Sequence, residues 1–238
     1  MVSFLTVVLG LLTAQAALAG NSAATPALRE NWHWLLRYES MNQQAHRGHI
    51  DLVYVGDSIV ERFGGPGAAV WEHYYAGRHP LNLGIGGDRT EHVLWRLKHG
   101  NISGIAPKLA IVMIGQNNGG HNTGEEIAAG VTAIVARLRA TLPGAQILLL
   151  AIFPRREKPN PERAVFAIAN GIIAQLADGK TVFYLDINSI FLRPDGSIPQ
   201  SLMGDFEHPT PLGYRAWAEA IEPQVAELMG DRPVAPLP

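Results

Sequence analysis

The chain has no cysteine among its 238 residues. That absence removes disulfides, thiolate zinc sites and a cysteine nucleophile together. Neither sign of charge is in excess: 19 Lys and Arg stand against 21 Asp and Glu, and the basic residues are scattered. An electrostatic footprint for nucleic acid or an anionic membrane surface is therefore missing, and a small-molecule substrate is expected instead. No apolar run reaches the ~20 residues that a bilayer-spanning helix needs, so stable membrane insertion is not expected either. Internal repeats, heptads and low-complexity tracts are lacking too. With 47% hydrophobic residues the chain is long enough for one well-buried domain.

The longest apolar stretch lies at the N-terminus. Phe4 to Leu12 is followed by small residues that end in Ala17-Leu18-Ala19 before Gly20, an A-x-A cleavage pattern. Residues 1–19 read as a secretory signal peptide, although no Lys or Arg precedes the apolar core. A secreted or periplasmic protein is the expectation, with one domain over 20–232 and a loose Pro-rich tail over 233–238.

Within the domain, five short runs rich in Val, Ile and Leu lack helical length: Leu52–Val55, Leu81–Leu83, Leu109–Ile114, Ile147–Ala151 and Val182–Leu185. Longer segments with helical spacing alternate with them, at Arg29–Ala45, from Thr90 as a cap to Lys98, and over Glu125–Leu142, Glu162–Leu176 and Pro211–Met229. Strands apolar enough to be buried on both faces, alternating with helices, imply a parallel sheet covered on both sides. The expected fold is α/β, a flavodoxin-like three-layer α/β/α sandwich on a five-stranded parallel sheet. Such sheets place their sites at the carboxyl ends of the strands.

Three strand ends carry polar, glycine-rich motifs. In Gly56-Asp57-Ser58, Ser58 reads either as a helix cap or as a nucleophile. Val60 stands where the Gly-x-Ser-x-Gly elbow needs its second glycine, so that elbow is excluded. Gly84-Ile85-Gly86-Gly87-Asp88 lacks the third glycine of a dinucleotide loop and the Gly-Lys-Ser/Thr of a P-loop. It remains a turn whose N–H groups can approach a ligand closely, or simply a tight turn. Gly115-Gln116-Asn117-Asn118 sets side-chain amides after an apolar strand, either as turn formers or as oxyanion donors.

Near the C-terminus, Asp205 and His208 stand three apart in a loop that Pro209 and Pro211 keep out of a helix, with Thr210 as the next cap. An Asp orienting an imidazole through Nδ1 leaves Nε2 free to take a hydroxyl proton. Glu207 is the competing carboxylate, which alternation along an extended loop would point away from Asp205. The remaining histidines read as solvated side chains. His46 and His49 could share an ion if both were helical, but a third ligand is not evident, so no metal is assigned and no cofactor is expected.

Taken in order, Ser58 in GDSI, the Gly87-Asp88 turn, Asn117 in GQNN and Asp205-x-x-His208 resemble the SGNH, or GDSL-type, ester hydrolases. The stretches LNLGIGGDRTEHVLWRLKHG, PRREKPNP and DFEHPTPLGY are most similar to the catalytic subunits of platelet-activating-factor acetylhydrolases and their bacterial relatives. The resemblance implies Ser58 as nucleophile, His208 as general base and acid, and Asp205 as its orienting partner. It also implies an oxyanion hole made by the N–H groups of Ser58 and Gly87 with the Asn117 side chain. Ile59, Asn118 and Phe206 are expected to line the substrate pocket. Being mid-sized, they favour short acyl groups, acetyl above all, on a glycan or another small ester. A lysophospholipase or thioesterase, an O-acetyltransferase using the same triad, and a non-catalytic glycan- or partner-binding module are the competing readings. Relatives of this kind suggest a homodimer, to whose interface Trp32 and Trp34 could belong, unless they only pack their own helix.

Overall fold

Runs of β-branched residues and leucine become strands because they suit a pleated surface covered on both faces. The structure is a computed structural model that describes residues 20–237. The expected signal segment, 1–19, lies outside the described residues. The strands are β1 (Leu52–Gly56), β2 (Pro80–Gly84), β3 (Leu109–Met113), β4 (Gln146–Leu150) and β5 (Val182–Leu185). They form one parallel sheet in the order β2-β1-β3-β4-β5. This is the expected flavodoxin-like order, which reverses direction between β1 and β3.

Helices α1 (Trp32–Arg47), α2 (Ser58–Glu61), α3 (Ala68–Tyr75), α4 (Thr90–Lys98), α5 (Gly124–Thr141), α6 (Pro161–Ile173) and α7 (Pro211–Met229) follow. Because side chains alternate along a strand, each strand feeds two cores. Val53, Val55, Ala110 and Val112 face a layer built from α1, α4, α5 and α6. Leu52, Tyr54, Leu109 and Ile111 face the layer of α2, α3 and α7. Each fully buried aliphatic or aromatic side chain there contributes ~1.5–3 kcal/mol of transfer free energy.

Local chemistry starts the helices. Thr123 Oγ1 accepts from Glu126 N while Glu126 Oε2 accepts from Thr123 N, and Asn160 precedes Pro161 at the first turn of α6. Thr210 caps α7 as its sequence suggests. Helix α4 departs from expectation: Arg89, not Thr90, is its N-cap residue. The Thr90 hydroxyl instead donates to Ala23 O at 2.7 Å, tying the N-terminal segment to α4. The chemistry of a threonine cap was available, but a tertiary partner took it.

Two further expectations are corrected. Trp34 is buried at 2% exposure, packed against Tyr38 and Trp95, whereas Trp32 is exposed. Residues 233–237 do not trail loosely. Val234 N donates to Glu222 Oε1 at 2.8 Å and Leu237 N to Tyr74 Oη at 3.3 Å, with both side chains packed on the core of α3 and α7. Glu222 also holds buried Arg78 in a bidentate pair at 2.7 and 2.8 Å, so the tail is fastened to an ionic anchor.

Candidate active site

Strand register brings the three glycine-rich motifs to one level. Gly56 of β1 pairs with Gly84 of β2 and with Met113 of β3, so Asp57-Ser58, Gly86-Gly87 and Gln116-Asn117 emerge side by side at the carboxyl edge. Glycine at 84 is a packing requirement: a Cβ there would lie 2.2 Å from the Glu61 backbone nitrogen. Glycine at 87 is conformational, since φ is +74° and the Arg29 guanidinium fills the space beside it at 3.4 Å. Gly86 lies against the serine, its would-be Cβ 3.8 Å from Ser58 Cβ.

Ser58 is the first residue of α2, and the capping duty falls on Asp57, whose Oδ1 accepts from Ile59 N at 3.0 Å. The serine hydroxyl is thereby free for a tertiary partner. Ser58 Oγ lies 2.9 Å from His208 Nε2, across 150 residues of sequence. His208 Nδ1 lies 2.7 Å from Asp205 Oδ2. The loop is not extended, as the alternation argument assumed. Phe206 has φ +61°, so the chain turns tightly and Asp205 Oδ1 accepts from the backbone N–H groups of Glu207 and His208. Glu207 is indeed turned elsewhere, onto Arg155 at 3.2 Å. Partial burial would push the Asp205 carboxyl up, but the His208 N–H and imidazole hold it below the usual carboxylate range. An ionised carboxylate can thus fix the imidazole tautomer that leaves Nε2 as acceptor.

Asn117 is half-buried between two loops. Its Nδ2 donates to Asp88 O at 3.0 Å and lies 3.4 Å from Asp57 Oδ2. Gly87 and Asn117 line one polar cavity of about 410 Å³ with Arg29, Arg89, His92 and His121. Of the expected pocket residues, Phe206 stays beside His208 and partly exposed, but Ile59 and Asn118 do not line a pocket. Ile59 is fully buried beneath α2, with its carbonyl accepting from Tyr214 Oη at 2.7 Å. Asn118 is fully buried too, bridging Thr90 N, Glu91 and Asn122. Proximity in sequence to Ser58 and Asn117 was misleading, because a helical turn and a 3-10 turn rotate the next side chain into the protein. His92, expected in solvent, is likewise buried, and its Nδ1 accepts from Arg89 N.

Sequence reasoning missed the polar network behind these groups. Asp88 is fully buried and accepts from Trp34 Nε1 at 2.7 Å, Arg96 Nε at 2.8 Å and Arg29 Nη1 at 3.2 Å. Arg96, also fully buried, reaches Gly56 O at 2.8 Å and Asn101 Oδ1 at 3.1 Å. Glu61 Oε2 accepts from Gly86 N at 2.7 Å. The β1 end, the Gly87 turn and Asn117 are thereby held in one hydrogen-bonded frame. The signal available in the sequence was charge next to an apolar strand end, where side chains become buried.

Asp57 is the most perturbed acid of the site. Complete burial pushes its carboxyl up to about 7, with the Asp88 charge adding, against the Ile59 N–H that favours ionisation. A carboxyl raised in the folded state contributes most stability below its unfolded value near 3.8, and that contribution is lost as pH rises toward 7. Asp57→Asn is therefore expected to gain on the wild type by on the order of 3–4 kcal/mol between pH 4 and pH 8. Urea unfolding at the two pH values measures this, and a difference independent of pH would show Asp57 ionised throughout.

Residues 54–216 match the GDSL-like Lipase/Acylhydrolase family. The chain is 36% identical over 218 residues to platelet-activating factor acetylhydrolase IB subunit alpha2 of Rattus norvegicus, covering 90% of this chain and 94% of that protein. It is 36% identical over 180 residues to subunit alpha1 of Bos taurus, covering 75% and 76%. Among solved structures, a GDSL-like lipase from Bacteroides thetaiotaomicron superposes with TM-score 0.63 at 16% identity, covering 81% of this chain and 97% of that one. A catalytic mutant of an acetylxylan esterase from Geobacillus stearothermophilus superposes with TM-score 0.59 at 18% identity, covering 78% and 96%. The two structures share the fold, and the family match spans the strands and loops that carry Ser58, Gly87, Asn117 and His208. The chain belongs to the GDSL-like lipase/acylhydrolase family and is a carboxylic ester hydrolase.

Proposed function

We propose that the protein removes short acyl groups, acetyl above all, from a glycan or another small polar alcohol through an acyl-enzyme on Ser58. The observation that carries this reading is the 2.9 Å contact of Ser58 Oγ with His208 Nε2, backed by Asp205 at 2.7 Å. Ser58 Oγ attacks the ester carbonyl while its proton passes to His208 Nε2. The tetrahedral oxyanion is stabilised by the N–H groups of Ser58 and Gly87 and by the Asn117 amide, at the start of α2. Collapse expels the alcohol, which takes the proton from His208. Water, deprotonated by the same imidazole, then releases the acid and restores the serine.

Two features favour a short acyl group and a polar alcohol. The cavity beside Gly87 and Asn117 is lined by Arg29, Arg89, His92 and His121, which suits a hydroxylated leaving group better than a lipid tail. The more apolar cavity, about 370 Å³ between α6 and β5, has Ile152, Phe166 and Tyr184 in its wall and none of Ser58, Asp205 or His208. Similarity to acetylhydrolase subunits and to an acetylxylan esterase fold agrees with acetyl as the group removed.

The test is a panel of p-nitrophenyl acetate, butyrate, octanoate and decanoate, run with acetylated xylo-oligosaccharides. The kcat/KM is expected to fall at least tenfold from acetate to octanoate. A preference for octanoate would overturn the short-chain reading. Failure of a fluorophosphonate to label Ser58 would overturn the acyl-enzyme itself and leave a binding module as the better account.

A further inference from the structure

At the opposite end of the sheet from Ser58, three side chains from two connections converge. Asp51 precedes β1, His79 precedes β2, and His49 ends the segment after α1. Backbone bonds hold the entry points together: Asp51 N donates to His79 O at 3.2 Å, and Asp51 O accepts from Lys108 N at 2.8 Å and Leu109 N at 3.2 Å. Asp51 is buried, so its carboxylate has little freedom. Its Oδ2 faces two imidazoles, at 3.0 Å from His49 Nε2 and 2.8 Å from His79 Nδ1. The two rings meet edge to face with centroids 5.2 Å apart. His79 has φ +45°, a left-handed backbone that few side chains other than Asn, Asp and His adopt, and it turns the ring toward Asp51.

From this geometry we propose that His49, Asp51 and His79 form a binding site for a late first-row divalent cation, with zinc as the reference ion. Their three ligand atoms lie within 4.8 Å of one another. Zinc bonds of ~2.0–2.2 Å place tetrahedral ligand atoms about 3.3 Å apart, so the exposed rings need only small rotations to open the two short contacts. Two imidazoles and one carboxylate oxygen suit zinc, nickel or copper, and they disfavour magnesium and calcium, which take oxygen. The solvent side leaves room for water as the remaining ligand, since His49 and His79 are both exposed. Lys108 Nζ, 3.7 Å from the other carboxylate oxygen, opposes a cation and weakens its binding. A bound ion would clamp the entries of β1 and β2 together without touching the Ser58 end. His46, by contrast, spends Nδ1 on its own helix at Asn42 O and takes no part.

The test uses the metal-free full-length protein at pH 7.5, titrated with zinc chloride by calorimetry and followed by thermal melting, with magnesium chloride as control. One equivalent of zinc is expected to bind with a micromolar dissociation constant and to raise the melting temperature, while magnesium does neither. His49→Ala and His79→Ala are each expected to weaken binding at least tenfold, and Lys108→Gln to tighten it several-fold. His49 lies on the surface, so its variant folds whatever its effect on zinc. No zinc-dependent heat or melting shift would overturn the proposal. So would binding that survives in the double histidine variant and disappears in His208→Ala, which would place the ion at the catalytic pair.

Discussion

Ser58→Ala is expected to lower turnover of p-nitrophenyl acetate by about 10⁴- to 10⁶-fold while leaving the melting temperature within ~2 °C of the wild type. The split between the two readouts follows from the local structure. Asp57 caps α2, so the serine hydroxyl carries no backbone hydrogen bond that its removal would break. Among the described residues, its hydroxyl bonds to His208 Nε2. Alanine is also a good residue at the first turn of a helix. Turnover by Ser58→Ala within a hundredfold of the wild type would mean that the reaction does not pass through this hydroxyl. A large loss of melting temperature would mean that Ser58 supports the fold, and the activity loss could then not be assigned to chemistry.

The second large effect concerns Arg96. Arg96→Met is expected to destabilise the protein by about 3–5 kcal/mol, because removing one partner of a buried ion pair leaves the other charge uncompensated. Asp88 would keep Trp34 and Arg29 but lose its guanidinium partner at 2.8 Å, and Gly56 O and Asn101 Oδ1 would lose donors as well. For a domain of this size the melting temperature should fall by roughly 6–20 °C. Activity at a temperature where the variant is still folded should also fall, since Asp88 O positions the Asn117 amide. Methionine fills the volume of the arginine stem, so a fall of under ~2 °C would show that the network contributes little. Arg96→Lys should recover part of the stability but not the fork that spans Asp88, Gly56 and Asn101.

Both effects trace to one design. Gly87, Asn117 and His208 sit on short loops, and the loops of Gly87 and Asn117 are held from behind by charges with no access to water. Asp88 and Arg96 are placed where a low dielectric strengthens each bond and makes each loss expensive. Asp57, fully buried between the serine turn and Asn117, belongs to the same layer, and that burial is what pushes its carboxyl up.

Some of this was readable in the chain. Strand positions came from short β-branched runs, and the observed bounds differ from those runs by at most one residue at either end. The start of α7 followed from Thr210 and Pro211, because capping is chemistry between near neighbours. The candidate Ser58, His208 and Asp205 were legible from residue types in a family order. Other readings failed for a common reason. Ile59, Asn118 and His92 were judged by the residues next to them, yet helical and 3-10 geometry turns each side chain into the protein. Thr90 was judged a cap, but its hydroxyl found Ala23 in three dimensions.

The sequence by itself determined what depends on spacing and on neighbours: the alternation of strands and helices, the start of α7, and the types of group at the strand ends. Only the tertiary structure decided what depends on contacts between distant segments. It set Ser58 against His208, put Asp88 and Arg96 behind the Gly87 turn and Asn117, and gathered His49, Asp51 and His79 at the far edge. Periodicity and capping act over a few residues, so they can be read along the chain. Burial and pairing are properties of packed surfaces, and those exist only once the sheet has brought its strands into register.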